Sequence, residues 1–245
     1  MLSEYSTAAQ IQEESGNDTA ILPIGSTEQH GSHLPVATDH MIARAYARVI
    51  GEKIGAYVLP TLPISTCREH MGRRGSVWIK PVTLYNVIED IVMSLKYQGF
   101  KTIIVLIAHG GIFISGPVIR ELNATNPDIR VIRLETMQFD NTPEMLEVVE
   151  CRDNLHACEI ETSLIMYLDR SLVKEENISD FVPDVTRDYL NYRSMLAYTE
   201  SGVWGKPSLA SVEKGRKIFD IVVKKSVEYI NEVIKKTGGK GYVEI

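Results

Sequence analysis

Residues 21–40 read ILPIGSTEQHGSHLPVATDH. A short apolar run, Ile21 to Ile24, stops at Gly25-Ser26, and Glu28, His30, His33, Asp39 and His40 follow within thirteen positions. A buried strand that halts at a glycine and opens into a loop of carboxylates and imidazoles is where an α/β enzyme places its chemistry. Glu28 and His30 are two apart, so in extended backbone their side chains project the same way. Asp39 returns after a turn at Pro35, just ahead of the helix-like stretch MIARAYARVI. Carboxylates and imidazoles together form an N/O donor set suited to zinc or another divalent first-row metal. The competing reading is a polar loop in which Asp39 caps the helix and the histidines are solvated.

Working outward, the same strand-then-helix alternation repeats. DTAILPI (18–24) reads as a buried strand, and residues 40–54 carry Met41, Ile42, Ala45, Val49, Ile50 and Ile54 at helical spacing. YVLPTLPI at 57–64 predicts a second strand whose end is restricted by Pro60 and Pro63. A helix is expected over 83–98, with Thr83 as its cap and Gly99 as its stop. KTIIVLI at 101–107 is the clearest strand, apolar on both faces as a central parallel strand must be. PVIRELNATN reads as helix and DIRVIRLETMQF as strand, and a helical pattern fills 143–168. Residues 170–205 are irregular, Lys214 to Lys236 form a long closing helix, and Gly238-Gly239 ends its order. A short helix over 3–14, with Ser3 as a possible cap, precedes all of this. The sum is a doubly wound, mostly parallel sheet with helices on both faces, expected as a single domain over residues 1–245.

Composition narrows the function. Hydrophobic residues at 44% and charged residues at 24% are ordinary for a globular chain. A formal net charge of -6 argues against a nucleic-acid binder, which needs a basic face. No run approaches the roughly 18 apolar residues of a membrane span, and the acidic start is no signal peptide. Cys67, Cys151 and Cys158 are odd in number and lack CxxC spacing, so a reducing, cytoplasmic setting is expected.

Three further stretches carry candidate chemistry. His109 stands where IIVLIA meets Gly110-Gly111, at the end of the central strand, where glycines let backbone approach a ligand. In HACEIETS, His156 and Glu159 share a face if the segment is helical, while Glu161 points elsewhere. Glu69-His70 lies in one loop with Arg68, Arg73 and Arg74, a group able to hold a polar or anionic substrate or simply a solvated surface. Trp78 and Trp204 suit core or lid equally, and neither Cys67 nor Cys158 has the setting of a nucleophile.

GSTEQHGSHLPVATDH, Glu69-His70, HGG at 109–111, HACEIETS and SGVWGKPSLASVEKG together resemble the creatininase (creatinine amidohydrolase) family, from about residue 20 to residue 217. The resemblance implies an α/β metal-dependent hydrolase with two divalent ions per subunit, zinc first and manganese or iron as alternatives. It also implies a homo-oligomer, up to a hexamer, acting on a small molecule. Position by position it places Glu28, Asp39 and His109 around one metal, and His30 with the bridging Asp39 around the other. In creatininase the last carboxylate comes two residues after the histidine matching His109. Here that position is Gly111, and Glu159 is the expected replacement. His156 matches a histidine that assists proton transfer, with Glu159 beside it in that role, and Glu69, His70, Arg73, Trp78, Gly110 and Gly111 form the substrate side. Two departures stand out. Ile112 replaces the asparagine of an HGGN pattern, and MGRRGSVW replaces the short stretch usual after Glu69-His70.

The expected reaction is attack of metal-activated water on a small cyclic amide or formamide, breaking a C–N bond. Ring opening of a cyclic diketone such as 3-dehydro-scyllo-inosose, by C–C cleavage, is the alternative within the family. A non-catalytic metal-binding protein is the alternative outside it.

Overall fold

The computed structural model describes residues 2–14 and 18–238. Its centre is a four-stranded sheet, all parallel, in the order β2-β1-β3-β4: β1 Thr19–Ile24, β2 Tyr57–Val58, β3 Thr102–Ile107 and β4 Arg130–Glu135. β1 and β3 run in register from Thr19↔Thr102 to Ile24↔Ile107, and every residue of both strands is buried. The alternation of Cβ directions sorts β3 between two cores. Ile104 and Leu106 join α2 (Thr38–Ile54), α6 (Glu159–Asp169) and α7 (Val212–Thr237) on one side. Ile103, Val105 and Ile107 join α3 (Pro81–Tyr97) and α4 (Ser115–Thr125) on the other. Burial on both faces is why this strand reads as an unbroken apolar run, each such side chain contributing about 1.5–3 kcal/mol.

The chain leaves β1, crosses through α2 to β2 on one side, then returns through α3 to β3 on the other. The strand order therefore reverses between β1 and β3, and open α/β sheets bind their ligands outside the carboxyl ends of the strands at such a point. The loops after Ile24 and Ile107 both open there.

Several element bounds differ from the sequence reading for local reasons. The first helix, α1, spans only Ala8–Glu14, because Ser3 is taken up in a bridge to Val58. β2 ends at Val58. Pro60 breaks the ladder and the chain rejoins it at an Ile24–Leu62 bridge. The same break accommodates Pro23 inside β1, whose carbonyl still accepts from Leu62 N. α3 begins at Pro81 and not after Thr83, since proline is pre-set for the first helical position. The expected helix over 143–168 is two pieces, α5 (Pro143–Leu146) and α6, and Ala157 at φ 49° turns the chain into the second. Between Arg170 and Leu209 the chain makes only short 3-10 turns. α7 starts at Ser211, whose hydroxyl accepts from Lys214 N, and buries Ile218, Phe219, Val222, Val223 and Ile230 at three-to-four spacing. Gly239 lies outside the described residues. No helix of the described residues is long and apolar enough to cross a membrane.

Candidate metal centre

At the carboxyl ends of β1 and β3, Glu28, His30, Asp39, His70, His109 and His156 converge, all buried. Gly25 makes the approach of Asp39 possible. A Cβ there would lie 2.5 Å from His40 N and 2.7 Å from the Asp39 carbonyl carbon, so only glycine lets the first turn of α2 rest on the strand end.

Asp39 sits between two imidazoles. Its Oδ1 is 3.2 Å from His30 Nε2 and its Oδ2 is 3.0 Å from His109 Nδ1. Each ring has its other nitrogen committed to backbone: His109 Nε2 donates to the Thr66 carbonyl at 2.8 Å, and His30 Nδ1 to the Glu28 carbonyl at 3.2 Å. The remaining nitrogens therefore turn lone pairs towards carboxylate oxygens, an arrangement that needs a cation or an extra proton between them. Glu28 Oε2 lies 3.3 Å from His109 Nδ1, and Glu161 Oε1 lies 3.7 Å from His30 Nε2. Glu28 Oε1 and Oε2, His30 Nε2 and Asp39 Oδ2 are buried with no hydrogen-bond partner. Such orphaned acceptors are expensive to bury unless something else satisfies them. Among the described residues, three groups of donors lie close enough to hold an ion, Glu28–Asp39–His109, His30–Asp39–Glu161 and Glu28–His30–His156; Asp39 is common to the first two, and their donor chemistry fits divalent metal.

The protonation pattern agrees. Burial would push the Asp39 carboxyl up, but His30 and His109 more than offset it and hold it well below the usual carboxylate range. Burial would likewise lower His30 and His109, yet Asp39 beside the first and Glu28 beside the second raise both well above an ordinary imidazole. Burial raises Glu28, opposed by His109. Burial and the neighbouring histidines hold His70 far below its ordinary value, and burial with His30 puts His156 at about 4. These last two are neutral rings. Gln29 sets their tautomers: its Oε1 accepts from Gly31 N, which leaves Nε2 to donate to His70 Nδ1 at 3.0 Å. The His70 proton is then on Nε2, 3.1 Å from Glu28 Oε1. His156 Nε2 donates to the Gln29 carbonyl at 2.6 Å, so its Nδ1 lone pair faces Glu28 Oε1 at 3.7 Å. Trp204 serves as backbone clamp for His156, pairing N to O in both directions.

Glu159 requires a correction. Its carboxylate is fully buried away from the cluster, accepting from Glu150 N, Cys151 N and Lys214 Nζ. The expected shared face of His156 and Glu159 presupposes a helix through both. The helix starts at Glu159, with Cys158 as its cap, and its turn aims Glu161 at His30. Glu161, expected from the sequence to point away from the face of His156, is thus the carboxylate turned towards His30. Position 111 could not have supplied one, because a Cβ on Gly111 would lie 1.9 Å from Glu69 Oε1 and 2.4 Å from His109 Nε2.

A small cavity of about 40 Å³ opens over the cluster, and its lining includes Glu69, His70, Gly110, Gly111, His156 and Glu161. Arg73 and Trp78 are not among its lining residues. Arg73 turns outward to the Glu200 carbonyl, and Trp78 is half-buried in its own loop. The cation that does reach the cavity is Arg187, from a 3-10 turn in the irregular region, whose guanidinium donates to the Gly110 carbonyl. Nothing in its neighbourhood in sequence marked it. Ile112 leaves the site for the core beneath α4, at 2% exposure. The thiols of Cys67, Cys151 and Cys158 are buried, and burial pushes Cys67 up to about 12, far from a nucleophile.

The chain is 26% identical over 239 residues to the creatinine amidohydrolase of Pseudomonas putida, covering 91% of this chain and 92% of that one. It is 26% identical over 242 residues to the mycofactocin precursor peptide peptidase of Mycobacterium tuberculosis, covering 91% and 88%. It is 24% identical over 245 residues to the 3-dehydro-scyllo-inosose hydrolase of Thermotoga maritima, covering 89% and 77%. Among solved structures, creatininase shares the fold with a TM-score of 0.82 at 23% identity, over 97% of this chain and 98% of that one. The family model described as creatinine amidohydrolase matches residues 4–230. On a match of that extent, with the converging histidines and carboxylates at the sheet's switch point, the chain belongs to the creatininase family of hydrolases.

Proposed function

We propose that this chain hydrolyses the C–N bond of a small cyclic amide or formamide at a dinuclear metal centre. The observation that carries the reading is Asp39, whose two oxygens face the nitrogens of two separate imidazoles, each flanked by a further carboxylate. Glu28, Asp39 and His109 would hold one ion, and His30, Asp39 and Glu161 the other. Zinc suits these ligands first, with manganese or iron as alternatives; creatininase is known in manganese and zinc–zinc forms that share this fold. Such ions, when bound, supply a water of lowered pKa and polarise the carbonyl under attack.

The residues around them have separable tasks. The Thr66 and Glu28 carbonyls hold the two ligand imidazoles in the tautomer that frees a lone pair for the centre. Neutral His156 offers its Nδ1 on the cavity side, where it can take a proton and return it to the leaving nitrogen. Gln29 holds the His70 ring, whose Nε2 lies 3.1 Å from Glu28 Oε1. Gly110 and Gly111 leave backbone open to the substrate.

The test is product analysis by NMR after zinc- or manganese-loaded protein is incubated with creatinine, a formylaminopyrimidine and 3-dehydro-scyllo-inosose. Amide opening or formate release supports the reading. Ring opening of the cyclic diketone alone would favour C–C hydrolysis, a possibility raised by the Thermotoga maritima relative. A homo-oligomer, up to a hexamer of single-domain subunits in the cytoplasm, belongs to the same proposal and is checked by light scattering.

A further inference from the structure

A second cavity of about 260 Å³ adjoins the small one and is more than six times its volume. The two share Met137, Leu155, Glu161 and Arg187 as lining, so a molecule held at Glu161 has direct access to both. Apolar lining comes from three helices: Ile42 from α2, Leu164 from α6, and Ile218 and Val222 from α7. Leu146, at the end of α5, stands half-exposed at its edge.

One polar group in this wall is unsatisfied. Tyr46 is 1% exposed, its ring stacked on Phe219 with centroids 4.8 Å apart, and its hydroxyl has no hydrogen-bond partner. A buried phenol normally finds one. Thr136, Asp140, Asn141, Arg152 and Asn154 add polar lining, so the cavity is mixed in character, with the apolar side chains gathered on the helices. Concave sites that combine apolar surface with convergent polar groups are the usual setting for a small molecule.

We propose that this cavity is a substrate subsite: the metal centre acts on one end of a molecule whose other end is an extended arm, with an apolar stretch against the helices and a hydroxyl or carbonyl group that pairs with the Tyr46 hydroxyl. The proposal rests on the metal-hydrolase reading and sharpens it, since a compact ring such as creatinine would leave the larger cavity unused. Arg187 stands at the junction between the two spaces.

The experiment measures binding of three metal-chelating hydroxamates to the zinc-loaded chain by calorimetry. Acetohydroxamate reports the metal centre alone. Hexanohydroxamate adds four methylenes, each able to gain roughly fourfold in affinity on burial, and should bind at least tenfold tighter. Its 6-hydroxy derivative should gain about threefold to tenfold more through one net hydrogen bond. Leu146→Trp should bring the hexano-to-aceto ratio down towards one, and Tyr46→Phe should erase the gain from the terminal hydroxyl. Equal affinity of the acetyl and hexanoyl compounds in the wild-type chain overturns the subsite and leaves the metal centre standing. Failure of acetohydroxamate to bind overturns both. The wild-type comparison decides the subsite even if a variant does not fold.

Discussion

Asp39 Oδ2 and His109 Nδ1 lie 3.0 Å apart, both groups buried, while the other nitrogen of that imidazole is already donating to the Thr66 carbonyl. That contact needs a proton or a cation between the two atoms, and Asp39 repeats the arrangement with His30 through its second oxygen. A shared carboxylate of this kind couples two sites. Replacing it should therefore empty both. Metal analysis after dialysis should give close to two equivalents per chain for the wild type and fewer than one for Asp39→Ala. One equivalent or none in the wild type would contradict a dinuclear centre.

Glu159 and Glu161, two residues apart, should separate cleanly by experiment. Glu161→Gln should weaken one metal site by more than about 10–100-fold, the scale for losing a residue that only orients a ligand, with a small change in thermal stability. Glu159→Gln weakens a half-buried pair with Lys214 and should cost about 1–3 kcal/mol, or roughly 2–12 °C in Tm for a chain of this size. Metal stoichiometry should be unchanged in that variant. Thermal melts and metal analysis on both proteins check this, and the reverse pattern would return Glu159 to the metal centre.

Position 111 is closed by its neighbours. Gly111→Ala would place a methyl group 1.9 Å from Glu69 Oε1, 2.4 Å from His109 Nε2 and 2.9 Å from the Thr66 carbonyl oxygen. Glu69 can swing aside, but the His109–Thr66 hydrogen bond cannot survive in place. We expect metal affinity to fall by about 10–100-fold, measured by competition with a chelating dye. Wild-type affinity in Gly111→Ala would show that the His109 tautomer is held by something else.

His33 gives a prediction about acid stability. Its Nε2 is 2.9 Å from Thr162 Oγ1 in a buried setting, and burial with neighbouring His30 lowers it to about 4. The unfolded imidazole titrates near ~6.5. Between these values the unfolded chain binds a proton that the folded chain does not, so stability is full above pH ~6.5 and is lost as pH falls towards 4, with a slope of about 1.4 kcal/mol per pH unit. His33→Asn should be less stable at neutral pH and show a shallower decline over that window. Urea melts at pH 7, 6, 5 and 4 provide the comparison, and an unchanged slope would place the His33 titration elsewhere.

Much of this protein was legible in order of sequence. The run at 101–107 has no polar residue between Thr102 and His109, which only a strand buried on both faces tolerates, and β3 is that strand. Glu28, His30, Asp39 and His109 follow strand ends, and strand ends on one side of a parallel sheet must meet. Those inferences need only periodicity and the direction of the chain.

What the tertiary structure decided was orientation and long-range supply. Whether Glu159 or Glu161 faces His30 depends on where α6 begins, and that is fixed by the turn at Ala157 and by the grip of Lys214, 55 residues on, upon Glu159. Arg187 reaches Gly110 from 77 residues away through a segment with no periodicity to read. The larger cavity exists because α2, α6 and α7 meet around Tyr46 without filling the space beside it. Local pattern records which residues prefer burial and which carry charge. It does not record the distances between segments that only packing brings together.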